Sequence, residues 1–97
     1  MADKRNEWTM SETQRNFLSI LNENRDGITL REIKKAYGVE FKTGSINTLK
    51  AKEYFITADE KRTFVADIVY EGEVIGHKTY NDTVYVITEK GIALFAD

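Results

Sequence analysis

The chain has no cysteine, no proline, one histidine and one tryptophan among its 97 residues. Lack of cysteine excludes disulfides, a thiolate nucleophile and sulfur metal ligands. Lack of proline leaves the turns to glycine, asparagine and aspartate. With a single histidine, a metal site would need His77 and several carboxylates to converge, and catalysis at His77 would need a nucleophile or carboxylate that the spacing does not suggest. No glycine run ends in Gly-Lys-Ser/Thr, so Gly72 and Gly76 read as turn and strand glycines rather than a phosphate loop. No apolar run is long enough to span a bilayer. Residues 1–10 are polar and of mixed charge, without the apolar centre of a signal peptide. The expectation is a cytoplasmic protein with no membrane part, no enzyme activity, no metal and no cofactor.

What is present argues for one folded domain. Hydrophobic residues make up 41% of the chain, enough for one small core. A flexible tail is expected over residues 1–8, with Trp8 its one group suited to burial, and a single domain over 9–97. The formal net charge of −2 conceals an asymmetry. Residues 1–52 hold ten Lys/Arg against seven Asp/Glu, and residues 53–97 hold four against nine. A basic helical half suits phosphates; an acidic β-rich half should face away from them, or toward a protein.

The periodicity changes at Tyr54. Before it the pattern is helical. Thr9-Met10-Ser11-Glu12 and Ser11-Glu12-Thr13-Gln14 both fit a capping box for a first helix starting near Thr9 or Ser11, whose apolar stripe is Phe17, Leu18 and Leu21 with Ile20 beside them. Ile28 reads as a very short strand. Thr29-Leu30-Arg31-Glu32 is a second capping box, followed by Leu30, Ile33 and Tyr37 at helical spacing and Gly38 at the helix end. Val39 and Phe41 are expected to turn back into the core. The third helix should run from Thr43–Ser45 to about Glu53, with Ile46 and Leu49 inward and Thr43, Asn47 and Lys50 outward. After Tyr54 the sequence alternates. Strands are expected at 54–58, 63–70, 74–80 and 83–88, with turns at 59–62, 71–73 and Asn81-Asp82. Thr88 then caps a short helix over 89–96.

Three stretches resemble the winged helix-turn-helix regulators, in particular the multiple-antibiotic-resistance regulators and related small families. They are Gly27-Ile28-Thr29-Leu30-Arg31-Glu32-Ile33, then Thr43-Gly44-Ser45-Ile46-Asn47-Thr48-Leu49-Lys50-Ala51-Lys52, then Val84 to Leu94 with Thr88-Glu89-Lys90-Gly91. The resemblance implies an α+β fold: a three-helix core, an antiparallel β-meander as an enlarged wing, and a short C-terminal helix. It also implies a double-stranded DNA partner and a role in transcription regulation, with the third helix in the major groove. By position, Thr43, Ser45, Asn47, Thr48 and Lys50 would be the readers. Two features depart from the family pattern. Glu53-Tyr54 stands where a glycine is usual, and an acidic segment of about twenty residues, Thr63 to Asp82, replaces a short wing tip.

The residues themselves support contacts of that kind. Arg31, Lys34, Lys35, Lys42, Lys50 and Lys52 outweigh Glu32 and Glu40 in their window, which suits phosphates. Hydroxyl and amide side chains on the third helix suit base edges. Lys61 and Arg62, at the first strand turn, are the candidates for a wing contact. The aromatic residues Phe55, Phe64, Tyr70, Tyr80 and Tyr85 lie on strands, where packing is a more natural use than base stacking in an acidic sheet. The alternative function is a protein-interaction module that uses the acidic sheet without touching DNA. The last strand is apolar on both faces, so strands 63–88 offer a surface for a homodimer or a protein partner, unless the first helix and Trp8 cover the second face.

Overall fold

Three of the four described helices, all but the third, start at a side chain that bonds free backbone N–H groups. The computed structural model describes residues 9–96; the tail 1–8 and Trp8 lie outside the described residues. Helix α1 (Glu12–Glu23) starts at Ser11. Ser11 Oγ accepts from the Gln14 N–H at 3.2 Å, and Gln14 Oε1 accepts from the Ser11 N–H at 2.9 Å. Helix α2 (Leu30–Tyr37) repeats the device with Thr29 and Glu32, and ends at Gly38 with φ 70°. A short turn leads to α3 (Thr43–Ala51), which buries Ile46 and Leu49 and has no side-chain cap at its start.

The chain then reverses through Glu53, which holds a left-handed φ of 64°. This is the place where the resembling families carry glycine, and the backbone conformation explains why glycine would suit it. Strand β1 (Phe55–Thr57) follows, then β2 (Arg62–Tyr70), β3 (Glu73–Asp82), β4 (Tyr85–Ile87) and α4 (Glu89–Ala93).

The strands do not form the expected meander. β1 pairs antiparallel with β4, and β2 pairs with β3, as two separate two-stranded sheets. Ile28 adds an isolated bridge to Tyr85, with N–H···O distances of 3.1 and 2.9 Å in the two directions. Tyr85 therefore lies between Ile28 on one side and β1 on the other. The Asn81-Asp82 pair, expected as a turn, is the end of β3, facing Thr63 and Arg62. A meander fails because β1 is satisfied by β4, which leaves β2 and β3 to satisfy each other. They form a ribbon that leaves the body. The chain measures 66 × 23 × 22 Å, with a radius of gyration of 16.9 Å, against roughly 12–13 Å for a compact domain of this length.

The core lies where α1, α3 and the β1–β4 sheet meet. Phe17 is its centre, edge-on to Phe41, Phe55 and Tyr85 at centroid separations of 5.1, 5.4 and 5.7 Å, a favoured aromatic geometry. Both faces of β4 are used inside the chain. Tyr85 and Ile87 join the core, and Val84 is buried beside Gly27, whose added Cβ would stand 2.6 Å from Val84 Cγ1. The apolar surface expected on the last strand is therefore not free.

Three further expectations are corrected. Phe41 is buried, but Val39 is 41% exposed, because the turn after Gly38 carries it outward. Tyr37 is also largely exposed; it ends α2 and reaches back to α1, its hydroxyl donating to Glu23 and accepting from Asn24. Helix α4 ends at Ala93, three residues short of the expected Ala96. Its cap, Thr88, accepts from the Gly91 N–H and donates from its hydroxyl to the Glu53 carbonyl.

Candidate nucleic-acid interface

Helix α3 has its apolar anchors on one side, so its other side meets solvent. Thr43, Asn47 and Lys50 are exposed there, Thr48 is half-buried, and Ser45 is exposed on the other flank of the helix. The spacing of Ile46 and Leu49 had already placed Thr43, Asn47 and Lys50 outward, and the structure agrees. Position is fixed from behind: Gln14 Nε2 of α1 donates to the Ser45 carbonyl at 3.0 Å. Sequence reasoning missed Gly44 and Ala51, both exposed on the same helix. A Cβ added at Gly44 would meet nothing within 4 Å, so packing does not require glycine there. Its signal in the sequence is a small residue set among the polar residues of a short helix.

The candidate cations divide into two groups. Arg31, Lys34 and Arg62 are engaged within the fold. Arg31 Nε donates to Asp82 at 2.7 Å, and its guanidinium lies over the Tyr80 ring at 4.2 Å and the Phe64 ring at 5.9 Å. The hydrogen bond to Asp82 raises the pKa of Arg31 against a smaller opposing effect of burial. Arg62 pairs with Glu32, and Lys34 with Glu40. The hydrogen bond from Lys34, its charge and then that of Lys42 hold the Glu40 carboxyl below the usual carboxylate range. Lys35, Lys42, Lys50 and Lys61 are exposed, and Lys52 is half-buried. The basic surface thus contains Glu40, and Arg62 at the ribbon base faces α2.

Two clefts flank the start of α2. One, of about 360 Å³, is lined by Leu30, Arg31, Asn81, Asp82, Thr83 and Tyr85. The other, of about 310 Å³, lies between α2 and the turn to α3, against Lys34, Glu40 and Lys42. His77 is on the ribbon, its Nδ1 2.8 Å from Asp67 Oδ1, with both side chains exposed. Among the described residues no group of three or more His, Asp or Glu is placed to hold a metal ion, and no helix is long and apolar enough to cross a membrane. Comparison of the chain with protein-family models, with curated proteins and with solved structures gives no match.

Proposed function

We propose that this chain is a winged helix-turn-helix domain that binds double-stranded DNA, a cytoplasmic transcription regulator with α3 in the major groove. Three features support the fold reading. α2 and α3 are joined by a short turn, Ile28, β4 and β1 lie side by side in that order, and the β2–β3 ribbon is inserted where a wing would be. The observation that carries the function is the face of α3: Thr43, Asn47 and Lys50 in solvent, with Ile46 and Leu49 turned into the core. Hydroxyl, amide and ammonium groups on one exposed helix face match the donors and acceptors of base edges and phosphates. The wing contact earlier assigned to Lys61 and Arg62 narrows to Lys61, because Arg62 holds Glu32.

The test is duplex binding as a function of salt. Four exposed lysines, Lys35, Lys42, Lys50 and Lys61, give at most a slope of about −4 for log K against log salt in one protomer. The Asn47→Ala/Lys50→Ala double variant should lose most of the binding. Unchanged binding would remove α3 from the reading, and no binding at low salt would leave the alternative, a protein-interaction module. One observation favours that alternative: Val65, Val69, Tyr70, Val74 and Ile75 are exposed on the ribbon.

A further inference from the structure

The β2–β3 ribbon is built differently along its length. Near the body, Phe64 and Tyr80 face each other and are covered by Arg31. Farther out, Val65, Val69 and Val74 on one face, Ile68 and Tyr70 on the other, and Ile75 between Val74 and Gly76 are 42–65% exposed. A partner laid on one face would leave the other in water. A partner added at an edge brings side chains to both faces at once, and among the described residues both outer edges of this two-stranded sheet are unpaired. An isolated two-stranded ribbon is at best marginally stable in water, and a bare edge is a template for another strand.

The outer edge of β3 is complementary to itself. The register shifts by one residue between Ile68 and Val69, which makes Ile75 the extra residue of a bulge. Glu73 then faces Tyr70 and Lys78 faces Ala66, so Glu73 and Lys78 lie on the same face in spite of their odd separation. Likewise Val74 faces Val69 and His77 faces Asp67, on the other face. Turn a copy of β3 antiparallel about a point between Ile75 and Gly76, and Glu73 and Val74 each meet a residue on their own face. Glu73 meets Lys78 twice, Val74 meets His77, and Ile75 meets Gly76. Gly76 has no left-handed φ, and an added Cβ there would meet only Ile68 Cδ1, at 3.9 Å. Nothing among the described residues requires glycine at 76, whereas a neighbour's isoleucine would use the space.

We propose that the chain forms a two-fold dimer by antiparallel pairing of β3 with β3 of a second copy, held by Glu73–Lys78 pairs and by Ile75 seated against Gly76. The interface is isologous, as a two-fold dimer requires, and does not involve α3. A strip this narrow is at the small end of stable interfaces, so association in the range of roughly 10–500 µM is expected.

Charge reversal tests it. All positions concerned are exposed, so the variants should fold, which thermal melts verify. By sedimentation equilibrium the wild type should dimerise, and Glu73→Lys and Lys78→Glu should each weaken dimerisation by about tenfold or more, since two attractive pairs become two repulsive ones. Mixing the two single variants should restore a dimer, because each supplies the charge the other now lacks. The Glu73→Lys/Lys78→Glu double variant should dimerise like the wild type. A wild type that is monomeric at about 500 µM would overturn the proposal and assign the ribbon to a different partner. A dimer indifferent to both reversals, or single variants that do not recover on mixing, would overturn it too.

Discussion

Arg62 and Asp82 stand opposite one another across the base of the β2–β3 ribbon, and each reaches to a neighbouring residue of α2: Arg62 to Glu32, Asp82 to Arg31. Two successive residues of one helix thereby hold both strands and fix the direction in which the ribbon leaves the body. Glu32 has a second task, since its Oε1 also accepts from the Thr29 N–H at 3.0 Å. Glu32→Gln keeps an oxygen for the cap and removes the charge that holds Arg62, so it should cost only about 0.5 kcal/mol. Glu32→Ala removes both and should cost about 1–2 kcal/mol. Urea unfolding of the two variants checks the difference, and hydrogen exchange of the β2 amides should rise in both.

Gly91 and Gly38 are both helix-associated glycines with different reasons to be glycine. A Cβ on Gly91 would stand 2.3 Å from the Tyr54 carbonyl oxygen and 2.7 Å from Ile87 Cγ1. One on Gly38 would meet nothing within 4 Å, and only its φ of 70° resists a side chain. Gly91→Ala must therefore move backbone and should cost about 2–3 kcal/mol, whereas Gly38→Ala should cost on the order of 1 kcal/mol. Thermal melts of the pair would expose a reversed order, which would mean that α4 is not seated on the turn after α3.

Gly44 separates stability from binding. In the first turn of α3 it forgoes about 0.5–1 kcal/mol relative to alanine. Gly44→Ala should raise the unfolding midpoint and, if α3 lies close against a duplex, weaken DNA binding. Asn47→Ala should narrow the gap between preferred and random duplexes by about 1–3 kcal/mol. Lys50→Ala should weaken both equally and flatten the salt slope by about one. Fluorescence anisotropy on two duplexes at several salt concentrations separates these effects.

Burial pushes the Tyr85 phenol pKa above its ordinary value of 10.0. The folded state then holds this proton more tightly than the unfolded chain does. The associated stability is complete below about pH 10 and is lost as pH rises through the raised value, by at most about 1.4 kcal/mol per pH unit. Urea midpoints should fall between pH 9 and pH 11 in the wild type, and less steeply in Tyr85→Phe.

Local signals in the sequence were legible because they act over three or four residues. The Thr29 capping box, the Gly38 helix end and the two faces of α3 lie where the spacing placed them, and of the two boxes that fit the start of α1 the fold uses the one at Ser11. Strand pairing was not legible. β1 and β4 are separated by 27 residues (58–84), and nothing in alternation says that Phe55 should face Ile87 rather than a residue of the next strand. Ion pairs were lost for the same reason: Arg31 and Asp82 are 51 residues apart, so Arg31 read as a free cation. Apolar surface was expected on β4, where Val84 to Ile87 is apolar on both faces. It lies instead on the ribbon, because Gly27 and α1 cover β4.

Thr57 and Tyr85 are Cα partners, and the Ala58 N–H donates to the Val84 carbonyl at 2.9 Å. The chain thus leaves for the ribbon and comes back at neighbouring points of a sheet that is already closed. The ribbon is in effect a long hairpin loop on a finished body, and its length is mechanically independent of the core. Replacing residues 60–82 by a short turn should leave a folded remnant, since closing a loop depends only weakly on its length. The same junction would accept a ribbon longer or shorter by pairs of residues, each step preserving which side chains face α2. The reach of this molecule can therefore change without any change to the helix proposed to meet DNA.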